Sequence, residues 1–166
     1  TAELPAKMRA EAYSLRATLQ DDPAKAQADF DAAIKLEPNE AQHRMARADF
    51  LRRQGKLDEA VADIDAVVEQ NPDAAGAFLV KAQMQREQNK LNDALASLDK
   101  ATALAPSAPE PYQQRGEIYR LQDDPAKAIE QFNRVLQMQP GFLLTLIHRA
   151  EAYLAKEQPE TPACGD

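Results

Sequence analysis

Small and apolar positions along this chain return in a fixed order. Ala26, Phe30 and Ala33 are followed by Ala60, Ile64 and Val67, then by Ala94, Leu98 and Ala101, then by Ala128, Phe132 and Val135. Within each triplet the steps are four and three residues, the spacing of one face of an α-helix. Between triplets the step is always 34 residues. A small residue keeps the same step upstream, at Ala48, Ala82, Gly116 and Ala150, and proline closes each unit at 38, 72, 106 and 140. The octapeptide Leu19–Ala26 returns intact as Leu121–Ala128. Two helices per 34 residues are predicted, the first carrying the small column and the second the triplet. One such unit cannot bury its own apolar face, so units stack and share a core along the array.

The turns agree with this division. Asp22-Pro23 and Asp124-Pro125 read as an N-cap followed by proline at the first helical position. Gly55 and Asn89 end first helices, because both tolerate a left-handed backbone. Asn71-Pro72 and Pro106-Ser107 close second helices.

These columns resemble the tetratricopeptide repeat family. Pro111-Tyr112-Gln-Gln-Arg115-Gly116-Glu-Ile-Tyr119 is similar to the family's first helix, and Ala128, Phe132, Val135 and Pro140 complete that unit. Arg44 and Ala10 depart from the pattern, standing where the family prefers a large aromatic. The resemblance implies an all-α, right-handed superhelical solenoid of antiparallel helix pairs. It places a lead-in at 1–6 and full repeats at 7–40, 41–74, 75–108 and 109–142. A partial repeat or capping helix follows at 143–157, then a flexible tail at 158–166. The incomplete fifth repeat reads as a piece of a longer protein.

Composition narrows the class. Glycine numbers only 5 of 166 residues and tryptophan is absent, which suits an all-helical chain. The formal net charge is −7, with no dense basic stripe, so a nucleic-acid partner bound through phosphates is not expected. No apolar run is long enough to span a bilayer, and a soluble protein without membrane insertion is expected, its compartment unspecified. The single cysteine, Cys164, has no partner for an internal disulfide.

Chemistry-bearing motifs are missing. His43 and His148 have no second histidine or cysteine at metal-ligand spacing and read as ordinary polar positions. There is no phosphate-cradling glycine loop and no nucleophile motif. The pairs Asp21-Asp22, Asp58-Glu59 and Asp123-Asp124 fall at helix starts, where carboxylates complement the helix dipole. No catalytic residue, metal site or cofactor is expected, and the chain does not read as an enzyme.

The resemblance assigns the concave side of the superhelix mainly to the first helices. Helical geometry then selects Met45, Asp49 and Arg52, one period on Leu79, Gln83 and Arg86, and another period on Gln113, Glu117 and Arg120. Glu11, Leu15 and Thr18 continue this column in the first repeat, and Ile147, Glu151 and Leu154 in the last. Arg52, Arg86 and Arg120 form a ladder that either meets an acidic peptide or is paired with Asp49, Glu87 and Glu117. A second ladder, Arg47, Lys81, Arg115 and Arg149, lies nearer the packing face and reads as structural, with heads on acids such as Asp29 or Asp63. Met45, Leu79 and Val80 add an apolar patch suited to a peptide with a few apolar anchors. Family members that clamp a chaperone's terminal carboxylate use Lys, Asn and Arg in the groove. Here Glu11, Leu15, Ala46, Gly76 and Val80 occupy those places, so that specialisation is not expected.

The last helix is apolar around much of its circumference, and Leu143, Leu144 and Ile147 form a candidate end-association surface. The leading expectation is a non-catalytic scaffold binding a peptide or protein segment in the groove. The alternatives are self-assembly, as a homo-oligomer through the C-terminal helix, and a regulatory domain of a larger enzyme.

Overall fold

The computed structural model describes residues 4–157. The expected flexible tail at 158–166, Cys164 within it, and the first three residues of the lead-in lie outside the described residues. Nine helices and no strands occur among the described residues: α1 (Ala6–Leu19), α2 (Pro23–Leu36), α3 (Ala41–Arg53), α4 (Leu57–Gln70), α5 (Ala75–Glu87), α6 (Leu91–Leu104), α7 (Glu110–Leu121), α8 (Pro125–Met138) and α9 (Leu143–Glu157). Each odd helix packs on the even helix that follows, and each even helix packs on the next odd one. The result is an all-α solenoid.

The punctuation works as chemistry dictates. Asp22 accepts from the Ala24 and Lys25 amides, and Asp124 from the Lys127 amide, with proline at the first helical position in both. The Lys25 amide, with its ammonium group, holds the Asp22 carboxyl below its ordinary range, and for Asp124 the Lys127 ammonium does so first and the Lys127 amide second. Gly55 (φ 76°) and Asn89 (φ 59°) end α3 and α5 in the left-handed region, and Asp123 (φ 56°) does the same after α7. In each case the next amide closes the helix end, Lys56 on the Leu51 carbonyl, Lys90 on Gln85 and Asp124 on Tyr119. Asp123 therefore has a backbone role that its reading as half of an acidic pair did not contain.

The core follows the columns. Phe30, Ile64, Leu98 and Phe132 have no exposed surface, nor have Ala26, Ala60, Ala94 and Ala128. The small column faces the large one. A Cβ added at Gly116 would stand 2.3 Å from the Phe132 ring, so glycine there matches phenylalanine opposite. The third pair fills the equivalent space with Ala82 and Leu98, which share one cluster with Ala94 and Ile118.

Curvature follows from which helices meet. Beyond the sequential contacts, α1 also touches α3, α5 touches α7, and α7 touches α9. No two even-numbered helices pack to that extent among the described residues. At these three steps the odd helices therefore approach one another more closely than the even ones do.

Candidate functional site

The inner surface is built on α3, α5, α7 and α9. Asp49 and Arg52 lie one turn apart on α3, and Arg52 Nη2 bonds Asp49 Oδ1 at 2.9 Å. This bond is the chief reason the Arg52 guanidinium is held above its ordinary range. Arg52 also reaches across to Glu87 Oε1 on α5, at 3.4 Å. Arg86 on α5 pairs with Glu117 on α7. Arg120 on α7 pairs with Glu151 on α9 at 2.6 Å. The first basic ladder is therefore an inter-repeat ladder, each guanidinium meeting a carboxylate of the following odd helix. Gln83 donates to Glu87 at 3.2 Å, so the amide supports the same network.

Two recesses interrupt this surface. One, of about 320 Å³, is lined by Met45, Asp49, Arg52, Val80, Gln83 and Met84. It brings four of the expected groove residues together, with Met45 36 % exposed over the half-buried Val80. The other, of about 530 Å³, joins Arg86, Glu117 and Arg120 to His148 and Glu151 near the C-terminal end. Leu79 is half-buried and packs against the core around Leu98, outside both recesses. Gln113 is buried. Its amide nitrogen donates to Glu117 at 3.0 Å and lies 3.0 Å from His148 Nδ1, and its carbonyl accepts from the fully buried Thr145 hydroxyl at 2.6 Å. Gln113 thus joins α7 to α9 with its hydrogen-bonding groups already in use.

The second basic ladder lies on the outer flank of the groove helices. Arg47 bonds Asp31 at 2.6 Å, Lys81 bonds Asp65 at 2.6 Å, Arg115 bonds Asp99, and Arg149 bonds the Asn133 amide oxygen at 2.8 Å. Each partner stands sixteen residues upstream on the preceding even helix. Arg47 also grips Asp63 with two nitrogens at 2.5 and 2.7 Å, the main reason its guanidinium is held above its usual range. Asp29 goes elsewhere: Arg16 holds it bidentately, both bonds 2.6 Å, which keeps the Asp29 carboxyl below the ordinary carboxylate range. Of the two acids expected as partners for the second ladder, Asp63 meets Arg47 and Asp29 does not join it.

The histidines differ from ordinary polar positions. His43 is buried, with Nε2 3.3 Å from Glu37. His148 is tilted against Phe132 at 5.8 Å between ring centroids. Sequence spacing alone hides both contacts, which depend on neighbouring repeats. Among the described residues no group of three or more histidine, cysteine, aspartate or glutamate side chains is placed to hold a metal ion. No helix there is long and apolar enough to cross a membrane.

Comparison with known proteins places this architecture. A family model described as tetratricopeptide repeat matches residues 15–75, 51–109 and 79–142. No curated protein matches the sequence. Among solved structures, MamA residues 41 to the end from Desulfovibrio magneticus RS-1 is similar over 93 % of this chain and 88 % of its own, with 20 % identity and a TM-score of 0.79. PilF of Pseudomonas aeruginosa matches 91 % of this chain and 70 % of its own, at 17 % identity and a TM-score of 0.75. The first repeat domain of Spaghetti (RPAP3), bound to the HSP90 peptide SRMEEVD, matches 71 % of this chain and 94 % of its own, at 20 % identity and a TM-score of 0.66. At these identities the likeness is one of fold.

Proposed function

The chain belongs to the tetratricopeptide repeat family, whose members generally serve as non-catalytic protein–protein interaction scaffolds, and from that premise we propose that its concave face binds a peptide segment of a protein partner. The observation that carries the reading is the recess between α3 and α5, where Met45, Val80 and Met84 meet Asp49, Arg52 and Gln83. A flexible apolar floor bounded by an ion pair and an amide suits one apolar anchor with polar groups on either side. The structure of a relative holding an HSP90 peptide supports the use of this fold as a peptide carrier.

Charge balance shapes the proposal further. Arg86 and Arg120 already meet Glu117 and Glu151, so an acidic peptide gains little there unless it displaces a carboxylate. The position that holds Glu117 and Glu151 one and two periods on is Gln83, which lines the same recess as Arg52. Arg52 is itself held by Asp49 at 2.9 Å and reaches Glu87 at 3.4 Å, so the reading rests on the apolar floor of the α3–α5 recess, with the charged groups at its rim. The groove positions Met45, Asp49, Arg52, Gln83, Arg86, Glu117 and Arg120 are proposed contacts, with Leu79 and Gln113 shaping the surface from beneath.

The test is selection from a random peptide display library, followed by calorimetric titration of enriched peptides. Met45→Glu and Val80→Glu are expected to weaken binding at least tenfold, and Asp99→Ala on α6 to leave it unchanged. Peptides that bind all three variants as well as the parent would refute the groove assignment.

A further inference from the structure

Two neighbouring columns run along the odd helices. Glu11, Met45, Leu79 and Gln113 form one, and Ala46, Val80, Gln114 and His148, each 35 residues after its counterpart, form the other. Met45 and Val80 line the apolar recess between α3 and α5, whereas Gln113 and His148 meet through a hydrogen bond between α7 and α9. An imidazole thus enters these columns at the last step only. Its surroundings fix which ring nitrogen is bare. Glu117 is a carboxylate and only accepts, so the Gln113 nitrogen faces it, at 3.0 Å, and the Gln113 oxygen is left to accept from the buried Thr145 hydroxyl at 2.6 Å. The same nitrogen lies 3.0 Å from His148 Nδ1, so Nδ1 is the accepting nitrogen of a neutral ring. Charged groups surround the ring. Glu117 Oε1 stands 3.9 Å from Nδ1, and Arg120 of α7, Asp123 after it, Arg86 of α5 and Glu151 of α9 line the same recess. Glu117 also holds Arg86, and Arg120 holds Glu151 at 2.6 Å. From α8 the Phe132 ring meets His148, and Arg149 turns to Asn133.

We propose that protonation of His148 exchanges its partner on α7, from Gln113 to Glu117, so that the α7–α9 recess responds to pH while the α3–α5 recess does not. Histidine is the side chain that ordinarily changes charge between about pH 5 and pH 8. A proton on Nδ1 sets donor against donor across the contact with Gln113. Inverting the Gln113 amide relieves that clash only by setting its oxygen against the Glu117 carboxylate. The acceptor already beside Nδ1 is Glu117 Oε1, and a charged ring meeting a carboxylate makes the stronger bond. The 3.9 Å between them exceeds the length of such a bond by only about 1 Å, within reach of a small turn of the ring. Glu117 then divides its charge between His148 and Arg86, so the change reaches α5. The recess lining, Arg86 and Arg120 against Glu117, Asp123 and Glu151, carries one negative charge in excess, which the protonated ring cancels. The α3–α5 recess has no histidine in its lining. The exchange belongs to the free chain and does not depend on the peptide-binding reading.

The experiment is a nuclear magnetic resonance titration of the isotope-labelled 166-residue chain between about pH 8 and pH 5, following the ring nitrogens of His43 and His148 separately. At the alkaline end Nδ1 of His148 is expected to carry no proton. On acidification the Gln113 side-chain amide and the Glu117 carboxyl carbon are expected to shift together, with the midpoint of the His148 ring. The Met45 and Val80 methyl groups are expected to show no step at that midpoint. In His148→Gln, with helicity checked by circular dichroism, the step at Gln113 and Glu117 is expected to vanish. The parent chain alone decides the exchange should that variant fail to fold. A proton on Nδ1 at the alkaline end, a Gln113 amide or Glu117 carboxyl that does not follow the His148 midpoint, or a step shared by Met45 and Val80 would each overturn the proposal. So would a step at Gln113 that survives His148→Gln.

Discussion

At position 63 the second helix pair buries a carboxylate, gripped twice by Arg47 and approached by Arg44 at 3.7 Å. One period on, in the third pair, the same place holds Ser97, whose hydroxyl donates to the buried Gln85 amide oxygen at 2.6 Å. Asp29 in the first pair matches Asp63, and Gln131 in the fourth is again neutral. All four side chains are buried to a similar degree. The repeat thus specifies a buried polar position on the second helix of each pair and leaves its chemistry open. In the first three pairs a neighbour satisfies the group, since an unpaired buried charge or donor is costly, whereas the Gln131 amide oxygen in the fourth has no hydrogen-bond partner among the described residues.

Breaking the two versions separates them. Asp63→Ala leaves Arg47 and Arg44, each with a side chain 20 % exposed, without their shared carboxylate. A loss of about 2–3 kcal/mol in urea-unfolding stability is expected, below the range for wholly buried pairs because of that residual exposure. Ser97→Ala removes one neutral bond and is expected to cost about 1 kcal/mol in the same assay. Equal losses would mean that charge at this column has no special weight.

The small and large columns give a second contrast. Gly116→Ala forces a methyl group into the Phe132 ring, and a net loss of about 1–2 kcal/mol is expected after the better helix propensity of alanine is counted. Adding Phe132→Leu recreates the Ala82/Leu98 combination of the third pair and is expected to recover most of it. A double variant no better than Gly116→Ala alone would show that the two repeats are not interchangeable here.

Acid sharpens the comparison between charged and neutral pairs. The Asp29 carboxyl is held below its ordinary range by the hydrogen bonds from Arg16. A folded-state value below the unfolded one contributes stability that is present above about pH 4 and lost as pH falls through the folded value. Stability is therefore expected to fall on acidification below about pH 4. Asp29→Asn should flatten that slope, and Ser97→Ala should leave it unchanged. The smallest effect is expected on the outer flank. Asp99 is 63 % exposed in its pair with Arg115, so Asp99→Ala should alter unfolding stability by less than about 0.5 kcal/mol.

The amino-acid sequence by itself determined the repeat, the order of helices, the core columns and most turns, because these are set by local spacing that recurs four times. Phe30, Ile64, Leu98 and Phe132 could be read as core without any knowledge of their neighbours, and Asp22 and Asp124 as caps. Where the charged side chains go was legible only in part. That Arg47 would meet Asp63 and Arg52 would meet Asp49 followed from one repeat and its turns. That Arg86 would take Glu117, Arg120 would take Glu151, and Gln113 would tie Thr145 to His148 was decided by the tertiary structure. The physical reason is reach. A helical face constrains a side chain's direction, but the ends of long side chains choose among partners several ångströms apart on adjoining helices. Only the spacing and curvature of the stacked pairs bring one of those partners within bonding distance.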